Sequence, residues 1–240
     1  MRRRLANTII VLSFGLGLAN PAIAQVKDNL ELNVFGGGSW YSTKKYEVGF
    51  PQSATPVSGQ FRFDRALRAG LRASVYTRGH WSEELFYSYE PNKAHFLRHT
   101  APTGSVTLST QVHNYGVTAL YYLNENESHS VRPFLSVGIG GTVYRLTPQA
   151  RAFADDPLRG NLGDMDNSHE LALNYGVGFK ARSSGWLGFR ADVRGFLGRT
   201  PSFGLARHSS DPNSTVFPAS GALHNAEASA GLIFYFYGKR

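Results

Sequence analysis

The chain has 240 residues, 25 Lys+Arg against 17 Asp+Glu for a formal charge of +8, and no cysteine. The missing cysteines exclude disulfide bracing and a lipid-carrying thiol, so the fold must rest on backbone pairing and packing. The basic residues stand singly rather than in runs, which excludes the cationic stripe that tracks a nucleic-acid backbone.

Residues 1–24 read as a cleaved signal peptide. Arg2, Arg3 and Arg4 form a basic start, Ile9 to Ala19 an apolar stretch, and Ala22-Ile23-Ala24 an A-x-A cleavage site. The apolar stretch falls short of the roughly 18 residues that a spanning helix requires. Residues 25–240 then form one domain, with 22 Lys+Arg against 17 Asp+Glu and a net charge of +5.

From Leu30 to Tyr237 the chain alternates apolar and polar residues in eight runs. The first sets Leu30, Leu32 and Val34 against Glu31, Asn33 and Phe35, and ends in Gly36-Gly37-Gly38 and Trp40, glycines that leave room for a bulky neighbour. The second sets Leu67, Ala69, Leu71, Ala73 and Val75 against Arg68, Gly70, Arg72 and Ser74. The third sets Trp81, Leu85, Tyr87 and Tyr89, with Glu83 near a rim, against Ser82, Glu84, Phe86 and Ser88.

The fourth is ambiguous over Leu108 to Val112, where a bulge would let the phase slip, and settles from Tyr115 with Val117, Ala119, Tyr121 and Leu123 outward. The fifth carries Leu135, Val137, Ile139 and Val143 outward and Arg132, Phe134, Ser136 and Tyr144 inward. The sixth carries Leu171 to Phe179 outward at alternate positions, with Glu170, Asn174, Lys180 and Arg182 inward. The seventh has Leu187, Phe189, Ala191, Val193 and Leu197 outward and Trp186, Arg190, Asp192, Arg194 and Phe196 inward. The eighth has Ala226, Ala228, Ala230, Leu232, Phe234 and Phe236 outward and Glu227, Ser229, Gly231 and Tyr235 inward. Asn114-Tyr115-Gly116-Val117 recurs as Asn174-Tyr175-Gly176-Val177 and supports the phasing.

Connections alternate long and short. Arg78-Gly79-His80, 124–130 and Ser183-Ser184-Gly185 are turns. The stretches 41–64, 91–107, 146–168 and 199–223 are predicted as long loops, the third acidic through Asp155, Asp156, Asp164 and Asp166, the second basic through Lys93 and Arg98. This rhythm predicts an all-β fold: an eight-stranded antiparallel transmembrane up-and-down β-barrel. A soluble barrel would put its charges outside. Here the charges share a parity with Gly, Ser and Asn, and a lipid-facing Arg or Lys costs about 2–4 kcal/mol at mid-bilayer, so the charged face is the lumen. Trp40, Trp81, Tyr87, Tyr89 and Phe236, near strand ends, are the predicted aromatic girdle.

The eight strands, the long/short alternation and the aromatic last strand Ala226 to Tyr237 resemble the small OmpA/OmpX-type outer-membrane β-barrel family, over essentially all of 26–240. The chain departs from that pattern by continuing Gly238-Lys239-Arg240 after Phe236-Tyr237, and the sequence shows no periplasmic peptidoglycan-binding domain. The resemblance implies a bacterial outer-membrane location, handling by the barrel-assembly machinery, and contact with outer-membrane lipid, lipopolysaccharide and surface partner proteins.

For chemistry, the inward charges Arg72, Arg190, Asp192, Arg194, Glu31, Glu84, Arg132, Lys180, Glu170 and Glu227 form a predicted lumen ion-pair network. Glu31, Glu84, Arg132, Lys180 and Arg182 lie toward the periplasmic rim. Arg72, Arg190, Asp192 and Arg194 sit at mid-height, with Asp192 the only acid there, and Arg68, Glu170 and Glu227 lie toward the outside. Eight strands leave an interior just wide enough for side chains to fill, so the network reads as a plug. The alternative is a narrow, gated pore for small solutes. Enzymes that modify lipid A are a distant third: His208-Ser209-Ser210-Asp211 are immediate neighbours in a loop and His129-Ser130 lie in a turn, neither arranged as nucleophile, base and orienter. His95 and His99, four apart in a predicted loop, do not make a metal site, and no cofactor motif is present. The expectation is a non-enzymatic structural or surface-interaction protein.

Overall fold

The computed structural model describes residues 30–48, 57–99, 104–124, 130–155, 165–183, 185–205, 207 and 221–236. The predicted signal peptide, His129, His208 to Asp211 and the tail Gly238-Lys239-Arg240 lie outside the described residues.

Among the described residues there are ten strands and one helix: β1 (Leu30–Tyr41), β2 (Lys44–Val48), β3 (Val57–Phe63), β4 (Ala66–Arg78), β5 (Trp81–Arg98), β6 (Gly104–Tyr122), β7 (Val131–Leu146), α1 (Pro148–Asp155), β8 (Ser168–Arg182), β9 (Leu187–Arg199) and β10 (Ala222–Phe236). Eight of the strands close a ring in the order β1-β4-β5-β6-β7-β8-β9-β10, with β10 pairing back onto β1 and every pairing antiparallel. β2 and β3 extend the first hairpin beyond the ring. The register that joins Ser39 to Ala66 continues as Lys44 to Phe61, so the first hairpin is one ladder interrupted at 42–43 and 64–65. Closure leaves the ring without a free edge. At the short-turn rim, Gly79 takes φ +58° between β4 and β5, a conformation that glycine adopts without steric cost.

The predicted facing holds around the ring. Leu71, Leu85, Val117, Val137, Ile139 and Val177 are exposed on the outside. Arg72, Glu84, Asn114, Asn174, Arg190 and Glu227 are buried inside. The two repeat copies match in detail: Asn114 and Asn174 point inward, while Tyr115 and Tyr175 point outward, each 42% exposed.

The strands are longer than their predicted bounds. β5 runs to Arg98 and β6 begins at Gly104, so most of the stretch 91–107, predicted as a loop, is ladder. The stretch 41–64 contains β2 and β3, and 146–168 contains α1. Nor does β6 slip phase: its register with β5 is unbroken from Trp81↔Tyr121 to Arg98↔Gly104. What changes is the surroundings. Below the level of Tyr89 and His113 the outside is apolar and the inside holds the buried charges, with Leu120, Tyr122 and Phe134 in a second, smaller apolar cluster; above it, Phe61, Phe63, Phe96, Leu108, Val112, Tyr144 and Leu146 point inward into a buried apolar core. Lys93, Thr107 and Ser109 point outward there and are exposed. The ambiguity at Leu108 to Val112 is therefore an inversion of polarity on a straight ladder, the pattern that follows when one strand leaves an apolar medium for water. Ala150 and Ala154 of α1, Met165, Phe203 and Leu223 close that core from the long-connection end. Phe203, wholly buried, holds φ 51°, a strained choice for an aromatic residue that the packing around it imposes.

Candidate functional site

The candidate site is the lumen. Cross-strand pairing stacks the inward residues in layers: Ser74 faces Glu84, Ser229 faces Asp192, Glu227 faces Arg194, and Lys180 faces Arg190. Buried among the described residues are five cations (Arg68, Arg72, Lys180, Arg190, Arg194) and five acids (Glu31, Glu84, Glu90, Asp192, Glu227). These ten balance in charge, and each has an opposite partner.

Glu84 takes Arg190 and Arg194, each at 2.5 Å, and accepts from Ser74 Oγ at 3.0 Å. Asp192 takes Arg190 at 2.8 Å, Arg194 at 3.2 Å and Arg72 at 3.3 Å, and accepts from Ser229 Oγ at 2.7 Å. Arg72 continues to Glu227 at 2.8 Å; Glu227 takes Arg68 at 2.9 Å, and Arg68 takes Glu90 at 2.6 Å. One connected chain of four guanidinium and four carboxylate groups therefore crosses the lumen. Lys180 pairs with Glu31 nearer the short-turn rim and donates to Tyr122 Oη at 2.7 Å. Ring faces cover guanidinium surface that carboxylates leave free: Phe35 lies 3.6 Å from Arg72 and Phe134 4.6 Å from Arg190. Glycines make room for this packing. A Cβ on Gly70 would stand 2.6 Å from the Phe35 ring, and one on Gly178 would stand 2.4 Å from Asp192 Cβ.

Several predicted heights and roles are corrected. Glu84 and Glu227 sit in the central layer, not at the two rims, because the long guanidinium side chains reach across the ring to them; Asp192 is not the only acid there. Glu170 stands apart from the network, bound to Ser168 at 2.9 Å and Arg207 at 3.3 Å near the apolar core. Arg132 makes no ion pair among the described residues and lies over the Tyr122 ring at 4.0 Å. Trp186, predicted inward, precedes β9 and is exposed at the rim, stacked on outward Phe234 at 6.3 Å. Arg182 is exposed over Tyr235 at the same rim. Glu90, absent from the predicted set, follows from carrying the parity of Ser82, Glu84, Phe86 and Ser88 one step further. Arg68, placed by sequence toward the outside, is the link between Glu90 and Glu227.

On the outside, Trp40, Trp81, Tyr87, Tyr89 and Phe236 are exposed. Tyr87 and Tyr89 are mid-strand in β5 rather than near its end, yet they mark the upper edge of the apolar band, where His113 accepts or donates at 2.7 Å with Tyr87 Oη. Tyr175 and His224 repeat that pairing at 2.6 Å. His95 faces Thr107 Oγ1 at 2.9 Å and Asp64 at 2.9 Å on the outer surface of the extension. Among the described residues no group of three His, Cys, Asp or Glu could hold a metal ion.

No protein-family model matches the chain, and no curated protein sequence matches it. Among solved structures it is similar to the outer membrane protein OprG from Pseudomonas aeruginosa, with a TM-score of 0.59 and 11% identity over 88% of this chain and 97% of that one. Neisserial surface protein A gives 0.40 at 12% identity over 85% and 97%, and the Escherichia coli outer membrane protease OmpT gives 0.45 at 12% over 87% and 97%. The OprG likeness establishes the fold: a closed eight-stranded antiparallel up-and-down barrel.

Proposed function

We propose that this chain is a non-enzymatic barrel of the bacterial outer membrane, its lumen closed by its own charges, with a structural or surface-interaction role carried by the long-connection rim. The location is supported by the apolar band. Ten residues at about 3.3 Å each, tilted near 45°, rise about 23 Å, the height of such a band in an outer membrane. The predicted signal peptide supplies the route, the barrel-assembly machinery the insertion, and outer-membrane lipid with lipopolysaccharide the surroundings.

One observation carries the closed lumen. Arg68, Arg72, Arg190 and Arg194 are each 1–2% exposed, although all four point into the barrel. Side chains lining a water-filled channel would be wet. These are packed against one another, and the apolar core lies above them. Paired and tightly packed, the central layer offers a passing ion no unbalanced charge. The long-connection rim, with its cap of α1 and the Phe203 segment, is then the surface that partners meet.

The test is purified full-length protein in planar bilayers at neutral pH. A closed lumen gives no steady conductance. Reproducible ohmic steps from the wild-type barrel, absent from a boiled sample, would overturn the plug and leave the narrow pore in its place.

A further inference from the structure

The outer face of the barrel changes character within one step on strand after strand. Outward Leu67 is preceded by exposed Arg65, Pro91 is followed by exposed Lys93, Val143 by exposed Arg145, and Leu197 by exposed Arg199. His169 and His224 take the corresponding places on β8 and β10. The aromatic residues Trp40, Tyr87, Tyr89 and Tyr175 stand just inside this row, on the apolar side. None of the four cations makes an ion pair among the described residues, whereas Arg68, Arg72, Lys180, Arg190 and Arg194 in the lumen are all paired. Asp64, whose backbone N–H bonds Lys93 O at 3.1 Å, is taken up by His95. The other edge of the band differs: there Glu83 faces outward, beside Trp81.

From this we infer that the row is a collar that binds the phosphates of outer-leaflet lipid headgroups. An unpaired cation immediately above an apolar band stands at the depth where a bilayer carries its phosphates, and Lys and Arg there are drawn to an anionic surface. Arginine suits the role, since its fork engages phosphate oxygens two at a time. Four such groups spread around the ring, with aromatic side chains below them, match a ring of anionic lipids rather than a single soluble anion. The same row fixes the barrel's depth, because sinking it would bury the cations and raising it would bare Leu67 and Leu197. This inference rests on the membrane-spanning reading above.

The test uses the full barrel in detergent, titrated with phosphorylated lipid A and with lipid A stripped of its phosphates. The probe variant is Arg65→Glu, Lys93→Glu, Arg145→Glu, Arg199→Glu together, with the same four positions as Gln should reversal impede folding. Heat-modifiable migration on gels establishes separately that each variant has formed its barrel, so a failure of the membrane reading is seen independently. Wild type should bind the phosphorylated lipid at least about tenfold more tightly, and the variants should lose that preference. Equal binding of both lipids by wild type overturns the collar. So does a folded variant that keeps the preference, or displacement of the lipid by an equal concentration of inorganic phosphate.

Discussion

Asp192→Ala tests the lumen network at its most connected acid. The carboxylate faces three guanidinium groups, from Arg190 at 2.8 Å, Arg194 at 3.2 Å and Arg72 at 3.3 Å, and the Ser229 hydroxyl at 2.7 Å. Removing it leaves those three cations to share Glu84 and Glu227, one acid short. Breaking a buried pair costs about 3–5 kcal/mol, and because Glu84 still bridges Arg190 and Arg194 the expected loss is about 3 kcal/mol. With a urea slope of about 2 kcal/mol per molar, the unfolding midpoint in lipid vesicles should fall by about 1.5 M. The matched control is Asp166→Ala. That carboxylate is 60% exposed and pairs with Arg151 at 3.3 Å, so its loss should cost under about 0.5 kcal/mol. Bilayer recordings supply the second readout, since three cations left with two acids should admit anions that wild type excludes. Midpoints indistinguishable among wild type and both variants, with all three electrically silent, would show that the paired charges do not hold the lumen shut.

Three further outcomes follow from the geometry. Leu108→Lys, at a site with no exposure inside the apolar core, should make the β5–β6 extension cleavable by added protease, while Ser109→Lys on its outer face should leave it resistant; equal resistance would contradict the inverted polarity. Gly178→Ala should destabilise by about 1–3 kcal/mol, because its Cβ would stand 2.4 Å from Asp192 Cβ and 2.7 Å from Phe134 Cζ; Gly185→Ala, with open space around it, should shift the midpoint by less than about 0.5 kcal/mol. Unboiled protein should migrate differently from boiled protein on a denaturing gel, since detergent alone should not open a closed ladder; identical mobility would contradict the ring.

Facing was legible in the sequence because it depends on a local quantity, the alternation of side chains along one strand. Leu71 against Arg72 and Val193 against Asp192 needed no knowledge of neighbours. Strand length was not legible in the same way. After Tyr89 on β5 and before His113 on β6 the alternation continues with its sign reversed, so Leu108 and Val112 read as an error of phase and 91–107 as a loop. Height inside the lumen was less legible still. Counting along strands put Glu84 and Glu227 at opposite rims, but an arginine side chain spans much of so narrow a ring, and Arg190, Arg194 and Arg72 draw both acids to one layer. Trp186 was misassigned because parity ceases to bind once a residue leaves the ladder.

The unbroken register of β5 with β6 has a consequence for how such a barrel diverges. Nothing in the backbone marks where lipid gives way to water; the boundary is written only in which side of the ladder carries Tyr89, Lys93 and Leu108. Its level can therefore migrate along the strands by paired substitutions, outward residues turning apolar while inward ones turn polar, with no insertion or deletion and no hydrogen bond rearranged. Descendants of one chain could then sit at different depths, or suit bilayers of different thickness, while keeping the same ring of strands.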